Sequence, residues 1–289
     1  MAFDLNLKNL VELALKEDLG WGDLTTWLTL EPDSLGRAEI RTRQALVLSG
    51  LEPARLAFEL VDKNLEVELF QADGDNLAPG AVVLRLEGLA QSILMAERVA
   101  LNFLGRLSGV ATLTQRYVKA SQELGLFGAK ILDTRKTTPG LRALEKAAVR
   151  HGGGHNHRFS LGDGILIKDN HIMAVGSIEK ALKLAKNKAR HNLKIEIEVD
   201  SLEQLREALE HGAEAVLLDN MDIPTLRKAV EIVKEFFKGR SRGLLLEASG
   251  GVNLKSVGKI AATGVDFISV GALTHSAPSV DLGLDWLDS

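Results

Sequence analysis

From about residue 129 onward, short apolar runs alternate with amphipathic helical segments, and this alternation limits the possible folds more than any other feature of the chain. Repeated strand–helix units are typical of a parallel sheet, because parallel neighbours need a crossover connection. Their near-regular spacing, roughly 20–35 residues per unit, favours a barrel over a doubly wound sheet. Only six runs are evident, which does not support a full eightfold barrel. The runs are AKILDT, GILIKD, KIEIEVD, AVLLDN, LLLEASG and DFISVG, and LRALEKAAVR is the first helical segment between them.

Polar residues follow these runs at their C-terminal ends. Because the carboxyl ends of parallel strands meet at one mouth of a barrel, we expect these residues to form a common site. The alternative is that they are ordinary polar loop residues with no shared role. The strand ends are Asp133 to Lys136, Lys168 to Asn170, Glu198 to Asp200, Asp219 with Asn220, Glu247 to Gly250, and Gly271.

The first hundred residues have a different pattern, which predicts an α+β arrangement. Two segments, LKNLVELALKED and EPARLAFELVDK, have helical character, the first through an apolar stripe. Residues 90–124 predict two helices broken near LSGVAT. Four short runs with alternating character, separated by Gly, Pro, Asp and Asn, predict strands: GRAEIRT, ALVLSG, LEVELF and AVVLRLEG.

The composition excludes several classes of protein. The formal net charge is −4, which argues against a general nucleic-acid or membrane surface. There is no cysteine, which excludes disulfides, thiolate metal ligands and a cysteine nucleophile. The N-terminal sequence lacks the pattern of a signal peptide, and no apolar run approaches the length of a membrane span. A cytoplasmic protein is therefore expected.

Positive charge is concentrated at the predicted mouth of the barrel. Arg135, Lys136, Arg158 and Lys168 lie at or just after strand ends, with His157 adjacent. Arginine binds carboxylates and phosphates through two parallel hydrogen bonds, and lysine acts as a point charge. Such a cluster favours a substrate with several negative charges. The alternative is that these cations form ion pairs with neighbouring Asp or Glu residues.

Glycine is concentrated in the same region. HGGGHNHR is too rich in glycine for a helix or strand interior and predicts a loop whose backbone approaches another group closely. EASGG and SVGA each follow a strand, and backbone N–H groups at the start of a following helix bind anions. This position favours a phosphorylated substrate. Tight strand-to-helix turns are the alternative explanation.

Three further features leave alternatives open. Glu198 and Asp219 end neighbouring runs and are suited to sugar hydroxyls, magnesium or proton transfer, or to structural ion pairs. His155 and His157 are two residues apart, which occurs in metal sites, but no carboxylate lies in residues 151–162. Lys168 ends a buried run, where a lysine that forms a Schiff base would also lie.

A set of motifs in fixed order resembles the quinolinate phosphoribosyltransferase family over nearly the whole chain. The motifs are TRKTTPGLR, GGGHNHR, LIKDNH, IEIEVDS, LLDNM, EASGGV and DFISVGALTHS, preceded by EDLGWGDLTT and AERVALNFLGRLSGVAT. The resemblance implies an N-terminal α+β sandwich over residues 1–112, completed by the tail 272–289. An incomplete α/β (TIM-like) barrel follows over residues 113–271.

The resemblance also implies a reaction. Quinolinate would take the phosphoribosyl group of phosphoribosyl pyrophosphate, with Mg²⁺ and without an organic cofactor, and lose CO2 to give nicotinate mononucleotide. Quinolinate and the sugar donor are both strongly anionic, which would explain local cations in a chain of negative net charge. The rivals are a paralogue that acts on another pyridine acid or acceptor, a class I aldolase using Lys168, and a sugar-phosphate sensor without activity.

Roles for individual residues follow from the same resemblance. The residues implied on the quinolinate and pyrophosphate side are Arg135, Lys136, Thr137, His157, Arg158 and Lys168. Glu198 and Asp219 would lie near ribose hydroxyls and magnesium-linked water, and Ser249, Gly250 and Gly271 would bind phosphate. Lys136, Lys168, Glu198 and Asp219 are the expected catalytic residues. Arg98 would enter the site of a partner subunit in a homodimer or a higher oligomer.

Overall fold

The computed structural model describes residues 2–123, 128–239, 241 and 243–287, with the backbone alone for residues 2–6. These residues form two compact units, which are discontinuous in sequence. The first comprises Met1–Leu113, Thr138–Gly153 and Ala277–Ser289, and the second comprises Thr114–Thr137 and Gly154–Ser276. The ranges expected from the resemblance did not place residues 138–153 in the first unit.

The elements are numbered in chain order. The helices are α1 (Ala2–Leu19), α2 (Leu24–Thr29), α3 (Leu51–Val61), α4 (Ala90–Gln122), α5 (Arg142–His151), α6 (Asp169–Val175), α7 (Ile178–Lys188), α8 (Leu202–Glu210), α9 (Ile223–Phe236), α10 (Val257–Ala261) and α11 (Ala272–His275). The strands are β1 (Leu35–Thr42), β2 (Leu46–Val47), β3 (Glu66–Leu69), β4 (Asn76–Leu77), β5 (Val82–Leu89), β6 (Lys130–Leu132), β7 (Ile165–Ile167), β8 (Ile195–Val199), β9 (Ala215–Asp219), β10 (Leu245–Ser249), β11 (Phe267–Ser269) and β12 (Leu282–Trp286).

The first unit contains an antiparallel sheet with strand order β12-β1-β5-β3, together with a short β2–β4 pair. Ile40 of β1 lies opposite Leu84 of β5 on one side and Leu284 of β12 on the other. Ile40 and Leu84 are fully buried, as the alternation of apolar residues along the strand requires when one face packs on a core. The predicted α+β class is confirmed, and the C-terminal tail supplies an edge strand of this sheet.

Residues 90–122 form one continuous helix, α4, so the predicted break near LSGVAT was wrong. The glycines there serve close packing of the tail within the first unit. A Cβ at Gly109 would overlap the backbone oxygen of Pro278, and the carbonyl of Gly105 accepts a hydrogen bond of 3.1 Å from the Val280 amide. The helical cost of glycine, about 1 kcal/mol, is accepted where a backbone approaches this closely. Among the described residues, no helix has the length and hydropathy needed to cross a membrane.

The second unit contains six parallel strands in the order β6-β11-β10-β9-β8-β7, and each corresponds to one predicted run. β6 and β7 are the terminal strands, and β6 has a single-residue parallel bridge from Leu132 to His155 on its outer side. The incomplete α/β barrel is therefore confirmed. The carboxyl ends of all six strands lie at one edge, as parallel pairing requires.

LRALEKAAVR does form a helix, α5, but this helix belongs to the first unit, so its assignment to the barrel was wrong. Its buried face carries charge: the side chain of Glu145 is fully buried and accepts a hydrogen bond of 2.6 Å from Arg106. The hydroxyl of Thr138 donates a second hydrogen bond to the same carboxylate at 2.8 Å. This ion pair holds the segment 138–153 within the first unit, because a buried carboxylate must remain paired.

Candidate active site

A cavity of about 760 Å³ opens at the carboxyl ends of the barrel strands. This volume lies within the range of small-molecule sites. The predicted site residues that line it are Arg135, Lys136, His157, Arg158, Lys168, Glu198, Asp219, Ser249, Gly250 and Gly271. The residues brought together come from all six strand ends, so the expected common mouth is formed.

The glycine-rich loop is attached to the end of β6, and this attachment positions His157. The His155 amide donates to the Ile131 carbonyl at 2.8 Å, and the Asp133 amide donates to the His155 carbonyl at 3.1 Å. Asp133 is fully buried, and its carboxylate accepts hydrogen bonds from the His157 amide at 2.9 Å and from the Asn156 side chain at 2.5 Å. The loop thus continues the barrel wall for a few residues and directs His157 into the cavity.

The four histidines of this segment do not converge. Nδ1 of His151 lies 2.9 Å from the hydroxyl of Ser49 in the first unit, and Nδ1 of His155 lies 3.0 Å from a neighbouring backbone carbonyl. His171 accepts a backbone hydrogen bond at the start of α6. His157 alone of the four lines the cavity. The clustering of histidines in the sequence therefore does not become a histidine metal site among the described residues.

Two arginines face the cavity with incomplete compensation of their charge. Burial and the positive charge of Arg135 both lower the pKa of Arg158. Arg158 donates a hydrogen bond of 3.0 Å to the Gly164 carbonyl. Nε of Arg135 is buried, and within the described residues it has no hydrogen-bond partner. A buried guanidinium donor without an acceptor is costly, so this position is suited to an anionic ligand.

Lys168 forms an ion pair with a predicted neighbour. Its Nζ donates to Oε2 of Glu198 at 2.7 Å, and the lysine side chain remains 45% exposed. For Lys168, this ion pair agrees with the alternative given for the cationic cluster, that its members pair with neighbouring Asp or Glu residues. The same contact places one negative and one positive group side by side at the edge of the cavity.

Glu198 and Asp219 project from the same face of adjacent strands. Glu198 of β8 lies opposite Leu217 of β9, and Asp219 follows Leu217 by two residues. Both carboxylates line the cavity, and Asp219 accepts a hydrogen bond of 2.8 Å from the Asn220 side chain. Oxygen donors of this kind suit Mg²⁺, either directly or through its water shell. The residues present therefore fit a magnesium ion carried into the cavity by a diphosphate.

The loop after β10 presents backbone donors to the cavity. Gly250 has φ 94° and Gly251 has φ 61°, and a Cβ at Gly250 would overlap the side chain of Asn220. Within the part of the chain that the structure describes, the amides of Gly250, Gly251 and Val252 have no hydrogen-bond acceptor. Successive free N–H groups form a concave anion-binding site. Ser249 lies at the start of this loop.

The predicted helix N-terminus directly after EASGG was wrong, because the helix α10 has five residues and begins only at Val257. At SVGA a helix does begin directly after Gly271, but α11 is a single turn of four residues. The loop amides therefore supply the donors. Gly271 lies close to two side chains of the site, because a Cβ there would lie 3.2 Å from the His275 ring and 3.3 Å from Cδ of Lys136, so a larger residue would displace them slightly.

Two predicted site residues are not among the lining residues. Thr137 follows Lys136 but does not line the cavity. Arg98 lies on α4 in the first unit and is exposed. Its expected role in a partner's site concerns a second subunit and stays a prediction.

The sequence did not single out Glu196, which is partly buried, and it placed the buried Glu247 at a strand end without assigning it a role. Glu196 and Glu247 contact His157, whose Nε2 lies 3.2 Å from Glu196 and 3.6 Å from Glu247. Ser269 donates a hydrogen bond from its hydroxyl to Glu247. The alternation rule contained the signal, because Glu196 shares a strand face with Glu198, and Glu247 shares one with Ser249. We call His157, Glu196 and Glu247 the carboxylate–histidine cluster.

The electrostatics of this cluster are strongly perturbed. Burial and the negative charge of Glu196 raise the pKa of Glu247 to about 7. Burial alone would lower the pKa of His157, but the hydrogen bond to Glu196 and the charge of Glu247 outweigh it and raise the pKa. The possible ligand atoms of the three residues lie within 4.8 Å of one another, a spacing that a metal ion could also bridge. Two adjacent carboxyl groups sharing a proton account for the same spacing.

Comparisons with known proteins agree over the whole chain. The family model for the N-terminal domain of quinolinate phosphoribosyl transferase matches residues 23–108, and the model for the C-terminal domain matches residues 110–285. A Bacillus subtilis protein named probable nicotinate-nucleotide pyrophosphorylase (carboxylating) is 44% identical over 97% of this chain and 93% of its own length.

A plant relative and a solved structure extend the comparison. A Nicotiana glauca protein named quinolinate phosphoribosyltransferase (decarboxylating) 2, mitochondrial, is 40% identical over 96% of this chain and 82% of its own length. The structure of the nicotinate-nucleotide pyrophosphorylase from Francisella tularensis is 39% identical, with a TM-score of 0.89, and covers 98% of this chain and 96% of that one. Both family models, the full-length relatives and the shared fold show that the chain belongs to the quinolinate phosphoribosyltransferase family.

Proposed function

We propose that this chain transfers the phosphoribosyl group of phosphoribosyl pyrophosphate to quinolinate. CO2 and pyrophosphate are released, and the product is nicotinate mononucleotide, for de novo NAD biosynthesis. The observation that carries the proposal is the buried Nε of Arg135, which has no hydrogen-bond partner among the described residues and lies in a cavity lined by further cations. Family membership supplies the reaction, and the cavity supplies the charges that both substrates require.

Different groups in the lining of the cavity are suited to the two substrates. Arg135, Arg158 and Lys168 with His157 form the cationic part and are suited to the two carboxylates of quinolinate and to the pyrophosphate. The amides of residues 250–252, with Ser249 and Gly271, are suited to the 5′-phosphate. Lys136 lies between these parts in the lining, close to Gly271.

These groups stabilise the charges that develop during transfer. As the bond from ribose to pyrophosphate breaks, negative charge grows on the leaving group and positive charge grows on the ribose. Fixed cations such as Lys136 and Lys168 stabilise the former, and the carboxylates of Glu198 and Asp219 face the latter. Mg²⁺ would supply further charge neutralisation on the diphosphate, with Glu198 and Asp219 nearby. The pyridine nitrogen then forms the new bond, and the resulting pyridinium accepts the electrons released with CO2.

The aldolase alternative is less well supported by the geometry. A lysine that attacks a carbonyl must be an uncharged amine, and this usually requires burial away from acids. Lys168 is instead paired with Glu198 at 2.7 Å and is 45% exposed, so it is neither buried nor away from acids. Borohydride trapping with a carbonyl substrate would detect an imine at Lys168, and we expect none.

Quinolinate should react far better than nicotinate. Nicotinate lacks the second carboxylate, so binding it would leave at least one of the cations that line the cavity without its anionic partner. We expect kcat/KM for quinolinate to exceed that for nicotinate by at least about 1,000-fold, as for a site that loses a buried polar partner. The assay combines either acid with phosphoribosyl pyrophosphate and Mg²⁺ and detects the mononucleotide. Comparable values for the two acids would favour a paralogue, and stabilisation by the ligands without turnover would indicate a sensor.

Ser249→Asp should weaken binding of the sugar donor more than binding of quinolinate. The new carboxylate would stand at the start of the loop whose amides of residues 250–252 are suited to the 5′-phosphate. Like charges in contact cost several kcal/mol, so we expect at least about a tenfold loss of donor affinity. Calorimetric titration of each substrate measures this, with Ser249→Asn as the uncharged control. Unchanged donor affinity in Ser249→Asp would place the phosphate elsewhere.

The assembly and location are part of the same proposal. A homodimer, or a higher oligomer built from it, would place Arg98 of one chain in the cavity of the other. Arg98 is exposed on its own helix, which leaves it available for such a contact. The absence of cysteine fits a reducing, cytoplasmic compartment.

A further inference from the structure

A second cavity, of about 630 Å³, lies at the amino ends of the barrel strands. Its lining includes the first residues of five strands, Lys130, Ile165, Ala215, Leu245 and Phe267. Its exposed residues Asn192 and Lys194 give it access to solvent. His157, Arg158 and Glu247 line both this cavity and the active-site cavity, whereas Glu196 lines only the second. The carboxylate–histidine cluster therefore forms the partition between the two.

The hydrogen bonds of His157 indicate which ring nitrogen carries the proton that faces Glu196. The Arg158 amide donates to Nδ1 of His157 at 2.7 Å, so the Nε2–H of the imidazole points to Glu196, 3.2 Å away. Glu247 is 4% exposed, its carboxyl group lies within 4.8 Å of that of Glu196, and it accepts a hydrogen bond from the hydroxyl of Ser269. Ser269 lines the active-site cavity. A continuous path of exchangeable protons thus runs from the second cavity through Glu196 and Glu247 to Ser269.

We infer that Glu247 and Ser269 deliver the proton that replaces the lost carboxylate of the substrate, drawing it from water in the second cavity. This inference rests on the proposed decarboxylating reaction. When CO2 leaves, the bond between ring carbon C2 and the carboxylate breaks, and its electron pair stays on C2. The Ser269 hydroxyl, which donates to Glu247 in the structure, rotates and gives its proton to C2, Ser269 then takes the proton of a protonated Glu247, and Glu247 is reprotonated from the second cavity. The sum is the addition of one solvent proton and the loss of one CO2.

The surroundings of Glu247 suit this role. The titratable groups that face it are Glu196 from β8 and His157 from the loop, while its neighbours on β9 and β11 are Leu217 and Phe267. Arg158 is the charged residue that lines both cavities beside it. Burial and the negative charge of Glu196 raise the pKa of Glu247 to about 7, so the acid form is present at neutral pH. Because the donor must be protonated, delivery fails as the pH rises above this value.

The test measures two products in one reaction, pyrophosphate and CO2, across a pH series. CO2 can add back to C2 until C2 is protonated, so slow proton delivery slows the net loss of CO2 but not the first release of pyrophosphate. Glu247→Gln keeps the shape and can still accept from Ser269, but it cannot give up a proton. We expect CO2 release to fall about 100-fold and its decline at high pH to disappear, while one equivalent of pyrophosphate is still released.

Two further variants make the outcome specific. Ser269→Ala should show the same split between pyrophosphate and CO2, because it interrupts the path without changing a charge. Lys194→Gln, which also lines the second cavity, should behave as wild type. Wild-type CO2 release and pH profile in Glu247→Gln would overturn the inference. Equal loss of both products, with an unchanged melting temperature, would also overturn it and assign Glu247 to substrate positioning. Failure of the wild-type enzyme to release pyrophosphate from phosphoribosyl pyrophosphate in the presence of quinolinate would instead refute the proposed function.

Discussion

Arg135→Ala is expected to lower kcat/KM for quinolinate by at least about 150-fold, which corresponds to about 3 kcal/mol. The guanidinium lies at the end of β6, and its buried Nε has no partner within the described residues, so it is prepared for an acceptor that the substrate brings. Removing it leaves a substrate carboxylate or phosphate partly desolvated and unpaired. Steady-state kinetics with varied quinolinate measure the loss.

Two companion variants show whether the loss arises from the guanidinium itself. Arg135→Lys keeps the charge but not the forked donor geometry, and it should recover only part of the activity. Arg206→Ala, an exposed arginine on α8, should leave kcat/KM unchanged. The melting temperature of Arg135→Ala should stay near that of wild type, because the site residue is not part of the core. Near-normal kinetics in this variant would contradict the assignment of Arg135 to the substrate.

Mixing two inactive variants, Arg98→Ala and Lys168→Ala, should restore about a quarter of wild-type activity. If Arg98 acts in the partner's site, one site of each mixed dimer carries both defects and the other carries neither. Random reassortment of equal amounts makes about half of the dimers mixed, each with one intact site of two. Co-refolding of the two tagged chains followed by the standard assay measures the recovery.

A parallel mixture controls for activity lost during co-refolding. Wild type mixed with Lys168→Ala should retain about half of wild-type activity, whichever chain Arg98 serves. Mass measurement of the tagged species confirms that mixed dimers are present. No recovery in the first mixture, with mixed dimers present, would rule out a shared site, because every site would then carry one defect.

Much of the second unit could be predicted from the sequence, because its strands and helices are evident from short stretches of neighbouring residues. Each barrel strand is a short apolar run whose neighbours in the sequence are helices, so the six runs identified the six strands. The polar residues directly after those runs were then predicted to meet, because parallel pairing places every carboxyl end at one edge. Arg135, Lys168 and Glu198 were found in this way, and all three line the cavity.

Other features depended on contacts between residues far apart in the chain. The glycine at 109 suggested a helix break, and only the approach of Pro278 shows why the helix continues. The segment 138–153 has the pattern of a barrel helix, and its place in the first unit depends on the ion pair between Arg106 and Glu145. No pattern in the sequence around these residues indicates either contact.

By itself, the sequence determined the strand–helix order of the barrel, the residues at its mouth and the family, because these follow from local periodicity and from motifs. Only the tertiary structure decided which of four histidines enters the cavity and which carboxylates are buried beneath it. The sequence placed Glu247 at a strand end but gave it no partner, and it did not single out Glu196; the barrel brings both against His157. Burial and mutual charge then set the pKa of Glu247, and both depend on distances in space that the order of residues does not contain.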